Sequence, residues 1–496
     1  MRSVRAAAWL LALGLAGCKV GPHFVAPDEP VPEHYSGVSS GVDEVAAPRA
    51  SAEPPPDTLW WRRFHDSELD GLEERAAAGN LDLRAAYLRI VESRLQVLAA
   101  RAQGLPSLNG TASYAREQLG LAGIVKSQGI INGTTSPATQ ALIASLEKPV
   151  NIYQLGFDAS WELDLFGKVR RSVEAADAES TVATESRNDL RVSLDAEVAQ
   201  SYFQLRAAQT LRGITLDLVS AQHEIVGLTR DRQLHGLANE SAVDSARAQL
   251  SNLQSELPSY DQTISASRHA LAVLTGQAPE ALDAELTAVG GLPSLPEVIP
   301  VGLPSTLARR RPDIRNSEAA LHAATAQVGV SVASMFPDIA LSGTLGLRNL
   351  DTKYLFDWDS KFYTFGPRIS VPIFHGGALV ANVRLSRALA AEATLNYRKT
   401  VLRALEEVED GLTDLHEDAR RAAALRDAVT ADQQALELGL GSYRHGLTTY
   451  INVLTVQLQA TQARQQLAQA QLTQTSDLVK LYKALGGGWG DVDKGD

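Results

Sequence analysis

Proline is absent from residue 168 to residue 257, and again from residue 373 to residue 496. Because proline removes a helix hydrogen bond and clashes with the preceding turn, its absence over such distances permits two uninterrupted helices. Gly167 to Gly236 and Gly376 to Gly446 each leave room for about 70 helical residues, roughly 100 Å of rod at 1.5 Å per residue. No globular domain of this mass needs two such rods. Aromatic residues are only 6% of the chain and Met is nearly absent, whereas Ala, Leu and Gln crowd the second half, which favours long packed helices over a thick aromatic core.

Apolar residues in these stretches recur at spacings of three and four: Leu405, Val408, Leu412 and Leu415, then Ile451, Leu454 and Leu458, then Leu478, Leu481 and Leu485. That spacing predicts a coiled-coil seam, with Arg, Glu, Asp, Gln and Ala on the remaining faces. Gly236 and Gly446 stand where a helix needs a left-handed C-terminal residue, and Asn239, Ser241, Thr448 and Thr449 offer caps for returning helices. The expected helical-hairpin tips are therefore His235, Gly236 and Leu237, and His445, Gly446 and Leu447. A histidine beside a C-terminal glycine fits helix-end electrostatics better than metal ligation.

The chain repeats itself. Leu105-Pro106-Ser107-Leu108 answers Phe336-Pro337-Asp338-Ile339, and His235-Gly236-Leu237-Ala238 answers His445-Gly446-Leu447-Thr448. Between these anchors, Trp161 to Gly167 takes the place of Ile369 to His375. Three matches in one order, displaced by similar intervals, argue for a duplicated unit. The predicted organisation is an extended arm at 18–58, a first repeat at 59–280, a linker at 281–303, a second repeat at 304–489 and a tail at 490–496. Each repeat would hold a helix, two strands and a long helical hairpin.

The strands are read from period-two alternation. Leu155, Phe157, Ala159, Trp161 and Leu163 alternate with Gly156, Asp158, Ser160 and Glu162, and Ile339, Leu341, Gly343, Leu345 and Leu347 alternate with Ala340, Ser342, Thr344, Gly346 and Arg348. Leu108 to Tyr114 gives a weaker first segment, and Ile369, Val371 and Ile373 end a fourth. Their lengths suit membrane strands of about 9 to 11 residues. Lipid-facing backbone must be fully paired, and about eight strands is the smallest common barrel, so four strands need an oligomer; a trimer supplies twelve. The expected fold class is an α+β membrane protein: a trimeric 12-stranded β-barrel, four strands per chain, continuous with a long periplasmic α-helical barrel.

The N-terminus gives the address. Arg2 and Arg5, the apolar run Ala6 to Leu15 and the small residues Ala16-Gly17 form an export signal, too short to span a bilayer as a helix. Leu15-Ala16-Gly17-Cys18 resembles the bacterial lipoprotein box, which makes Cys18, the single cysteine, the lipidation site after loss of residues 1–17. Lys19, rather than an inner-membrane retention Asp, follows it, so the outer membrane is expected. Removing residues 1–17 takes away Arg2 and Arg5 and no acid, leaving 44 basic against 58 acidic residues and a formal charge of −14. This balance, without a long Lys/Arg block, opposes nucleic-acid binding. It favours a cation-preferring lumen.

Several motifs closely resemble the TolC-like outer membrane factors, specifically lipoproteins of the NodT type. They are Cys18-Lys19-Val20-Gly21-Pro22-His23-Phe24, Trp161 to Lys168, Arg310-Arg311-Pro312-Asp313-Ile314-Arg315, Phe336-Pro337-Asp338-Ile339, and Leu481 to Trp489. The resemblance implies a passive exit duct with an equatorial belt, working with a periplasmic adaptor and an inner-membrane transporter, most naturally of the resistance-nodulation-division type, to export drugs or other toxic compounds. Heavy-metal efflux and type I protein secretion are its alternatives. Relatives commonly narrow the periplasmic end with charged residues two to three turns past the second tip. Here that face carries Ile451, Thr455 and Leu458, while Asp244 and Arg247 hold comparable places on the first hairpin. Tyr450, Ile451 and Leu458 are accordingly expected to close the end around the threefold axis.

Two other classes of protein fit the sequence less well. An exported enzyme needs a constellation absent from the sequence: no His-Glu-x-x-His pair and no phosphate-cradling glycine loop occurs, and neither metal nor cofactor is expected. A pore-free periplasmic scaffold would not need the four alternating segments.

Overall fold

The computed structural model describes residues 19–36, 49–51, 58–118, 136, 141 and 148–490. The signal segment, Cys18, most of the segment from Glu117 to Pro149, and the tail from 491 lie outside the described residues.

The duplication is visible in the element lengths. Helices α1 (Ser67–Gly79) and α2 (Leu81–Ala102) lead into β2 (Ser107–Glu117) and β3 (Val150–Glu162), then α3 (Lys168–Leu234) and α4 (Glu240–Leu274). Helices α5 (Pro304–Arg310) and α6 (Pro312–Ala333) lead into β5 (Asp338–Asn349) and β6 (Lys361–Ser370), then α7 (Ala378–Arg444) and α8 (Tyr450–Ala484). The two long helices have 67 residues each, their return helices 35 each, and α2 and α6 have 22 each. Short strands β1 (Arg49–Ser51) and β4 (Val298–Pro300) pair in parallel.

Helix ends follow local chemistry. Asp66 caps α1 by accepting from the amides of Glu68 and Leu69. Asn80 ends α1 and starts α2, its Oδ1 accepting from the Leu83 amide while its Nδ2 donates to the Leu274 carbonyl. Pro304 and Pro312 occupy first helical positions, where the missing N–H costs nothing. Pro258, by contrast, lies inside α4, which continues past it.

The chain divides into two compact units. One comprises the N-terminal residues to Val25, Ser93–Glu179 and Leu321–Glu392, and holds the four-stranded antiparallel sheet β2-β3-β5-β6. The other comprises Ala26–Glu92, Ser180–Ala320 and Ala393 onward. Its core gathers Trp60, Trp61, Phe64, Tyr202, Phe203 and Tyr482, with Trp60 stacked on Tyr482 at 5.0 Å. Burying rings of this size contributes a large share of the stability of so helical a body, roughly 1.5–3 kcal/mol per fully buried large apolar side chain.

Two expectations need correction. The fourth strand ends at Ser370, so Val371 and Ile373 lie outside it. In the register Ser370 pairs with Asp338, and the next pair would set Val371 against Pro337, which has no N–H; Pro372 is similarly barred from the ladder. In α8 the buried line runs Tyr450, Val453, Gln457 and Ala460, not Ile451 and Leu458, which are 72% and 44% exposed. The seam is one residue out of phase because a polar residue, Gln457, occupies an interior position that an apolar search passes over. The seams at Val408, Leu412 and Leu415, and at Leu478, Leu481 and Leu485, are buried as the spacing predicts.

Candidate functional site

The sheet is amphipathic across all four strands. One face aligns Leu108, Gly110, Ala112 and Tyr114 with Tyr153 to Trp161 at alternate positions, then Leu341, Leu345 and Leu347, then Tyr363, Phe365 and Ile369. Most of these side chains are exposed: Phe157 is 57%, Leu345 60%, Tyr363 79% and Phe365 74% accessible. Soluble surfaces rarely carry a contiguous apolar band of this size. The opposite face carries Asn109, Thr111, Gln154, Asp158, Ser342, Thr344, Arg348 and Thr364. Arg348 donates to Gln154 Oε1 and lies over the Phe362 ring at 4.6 Å. Gly156 and Gly346 face each other across β3 and β5 so closely that a Cβ on Gly346 would meet the Leu155 carbonyl oxygen at 2.4 Å.

No other strand among the described residues pairs with the outer edge of β2 or of β6. Edges of 11 and 10 residues with free N–H and C=O groups invite pairing with another chain.

In the same unit, the residues after Cys18 are held firmly. The Val20 amide donates to the Phe166 carbonyl, and the fully buried Arg171 donates to the carbonyls of Val20 and Gly21. Gly21 (φ +89°) packs where a Cβ would sit 2.6 Å from Gly329 Cα. Burial raises the Glu174 carboxyl, but hydrogen bonds from Lys19, His322 and Arg171 outweigh it and pull it down to about 2. Phe24 stacks on His322 at 4.4 Å.

The other unit carries the two hairpin tips. Gly236 (φ +72°) and Gly446 (φ +76°) take the left-handed conformation, and the Leu237 and Leu447 amides donate to the Arg232 and Ser442 carbonyls. His235 Nδ1 lies 2.7 Å from the Asp231 carbonyl oxygen and His445 Nδ1 2.8 Å from that of Gly441, so both rings meet helix-end carbonyls. Asn239 caps α4 through Ala242, whereas the Thr449 side chain makes no capping bond. Behind the tips Tyr443, Tyr450, Val453, Ile225 and Ala246 form a small core. Gln222, buried there, donates to the Ala246 carbonyl and accepts from Gln457, a polar tie that apolar periodicity gave no sign of. An open groove of about 690 Å³ separates the tips, lined by Arg232, Leu237, Asn239, Tyr443, Leu447 and Ile451 among others.

The expected closing residues fall into two groups, one inside the protomer and one on its surface. Tyr450 is 4% exposed and spends its side chain within the protomer, with its hydroxyl near Gln222. Ile451, Thr455 and Leu458 lie on the outer surface of α8. Asp244 and Arg247 are exposed and 3.5 Å apart on α4.

An amphipathic open-edged sheet with two very long helical hairpins defines the class of outer membrane efflux ducts. The family model described as outer membrane efflux protein matches residues 72–277 and 303–487, one stretch in each half, and the chain belongs to that family. It is 31% identical to the antibiotic efflux pump outer membrane protein ArpC of Pseudomonas putida, over 96% of this chain and 93% of that one. It is also 31% identical to nodulation protein T of Rhizobium leguminosarum bv. viciae, over 99% and 94% respectively. Among solved structures it is similar to the outer-membrane channel OprN, with a TM-score of 0.83 at 32% identity, covering 95% of this chain and all of that one.

Proposed function

We propose that this chain is the exit duct of a tripartite efflux system: a passive channel in the outer membrane, extending into the periplasm, through which drugs or other small toxic compounds leave the cell. The relatives are outer membrane efflux channels, not enzymes. The observation that carries the finer reading is the open four-stranded sheet with an exposed apolar face. Its apolar side suits hydrocarbon, and its two free edges require further strands if every backbone group is to be paired in lipid. Three copies joined β2 to β6 would make a twelve-stranded barrel with the polar face inward.

On this reading the acyl groups of Cys18 anchor the chain in outer membrane lipid beside the clamped segment Lys19 to Phe24. The tip groove would receive a periplasmic adaptor, which joins the duct to an inner-membrane transporter of the resistance-nodulation-division type. Ile451, Thr455 and Leu458, exposed near the second tip, with Asp244 and Arg247 near the first, are the residues to close the periplasmic end. The experiment is to cross-link the protein in its own cells, purify it by a C-terminal tag and identify the attached inner-membrane proteins by mass spectrometry. Recovery of such a transporter with its adaptor supports the reading. An ATP-driven secretion partner would redirect it to protein export, and no transporter at all would favour a pore-free scaffold.

A further inference from the structure

Among the described residues, the polar face of the sheet carries in mid-strand one carboxylate with no cation beside it. Asp158 of β3 accepts from Thr111 Oγ1 on β2 at 2.9 Å and from Thr344 Oγ1 on β5 at 2.8 Å. Asn109 and Thr344 sit directly across from it, and Thr364 lies beyond Thr344. The hydroxyls fix the direction of the carboxylate without cancelling its charge. Other charges on this face are distant or matched. Arg348 is four residues along β5 from Thr344, about 14 Å away at strand spacing, and is held by Gln154 and Phe362. Glu162 and Asp338, toward the helical end, lie 3.2 and 3.7 Å from Lys168 Nζ. Arg368 stands four residues from Thr364 along β6. Screening lengths of about 8 Å at physiological salt leave Asp158 in command of the potential at its own level.

We propose that Asp158 sets the charge preference of the outer exit, drawing solutes that carry positive charge, such as organic ammonium compounds, and retarding anions. This rests on the sheet being one third of a closed barrel, which would set three copies of Asp158 around one passage.

The test places a reporter thiol at Asn109, across from Asp158, and labels intact cells from outside with ethyl methanethiosulfonates bearing either trimethylammonium or sulfonate. A protein whose only cysteine is Cys18 serves as the blank. Entry from outside makes the readout independent of whether the periplasmic end is open. At a separation of one side-chain pair, a carboxylate in water screened by physiological salt speeds the cationic reagent and slows the anionic one by a combined factor of roughly five. The rate ratio, corrected for reaction with a free thiol, is expected to favour the cation by about that factor in N109C and to fall near unity in N109C/D158N. A ratio unchanged by D158N, with the thiol reactive, overturns the proposal and leaves the duct standing. A thiol that reacts with neither reagent in outer-membrane-inserted protein overturns both.

Discussion

The guanidinium carbon of Arg232, near the end of α3, lies 4.5 Å from the ring centre of Tyr443, near the end of α7, and its Nη1 donates to the Tyr443 carbonyl. One side chain thus ties the first hairpin to the second at their tips, beside the exposed Ile451.

Removing that tie should loosen the tips while leaving the rest intact. Arg232→Ala is expected to cost about 2–4 kcal/mol locally, the sum of a cation–π contact and a charged hydrogen bond. Hydrogen exchange should quicken at 443–450 with little change in the Trp60 core. Equal protection in mutant and parent would contradict the coupling.

Closure at the periplasmic end should depend on exposed apolar side chains. Replacing Ile451 and Leu458 together by Ser is expected to raise single-channel conductance in planar bilayers. No rise would remove these residues from the closing assignment.

The two faces of the sheet should respond oppositely to charge. Phe365→Arg puts a cation on the apolar face, at a cost of about 2–4 kcal/mol near a bilayer midplane, and should abolish the oligomer that survives in unheated gels. Thr364→Arg, one residue away on the polar face, should preserve it. An oligomer kept in Phe365→Arg would mean that the apolar face does not meet lipid.

A buried carboxyl pair should make the second unit weaken as pH rises. Glu73 and Asp195 are fully buried, and the charge of each acts on the other, with Arg191 Nε 2.7 Å from Asp195 and Asp70 a further charge acting on Glu73. Burial raises Asp195 to about 7 despite Arg191, and burial with the charge of Asp195 raises Glu73 well above the usual carboxylate range. An acid raised on folding binds its proton more tightly in the native state, so the stability it contributes is complete at acid pH and is lost as pH climbs through the raised value. The melting temperature should therefore fall between about pH 5 and pH 8, and Glu73→Leu should flatten that dependence. Parallel profiles for mutant and parent would sink the claim.

Periodicity carried the sequence reading far because much of this chain is rod and strand. The absence of proline and the placement of Gly236 and Gly446 marked helices and turns, and alternation from Leu155 and Ile339 marked the two central strands. What escaped were positions where a polar group sits inside. Gln457 shifted the seam of α8 by one residue, which put Tyr450 in the core and Ile451 outside. Asp195 stands where the 210-residue displacement relating His235 to His445 would place Leu405, and nothing in its neighbours announces burial against Glu73. The end of β6 was legible in Pro372 but was overridden by the apolar run through Ile373.

Closure of the four-stranded sheet by copies of itself is tested most directly by the mass of the protein released from membranes in mild detergent. Native mass spectrometry should give three acylated chains, falling to one after heating. A particle of one or two chains before heating would leave strand edges unpaired in lipid and contradict the duct.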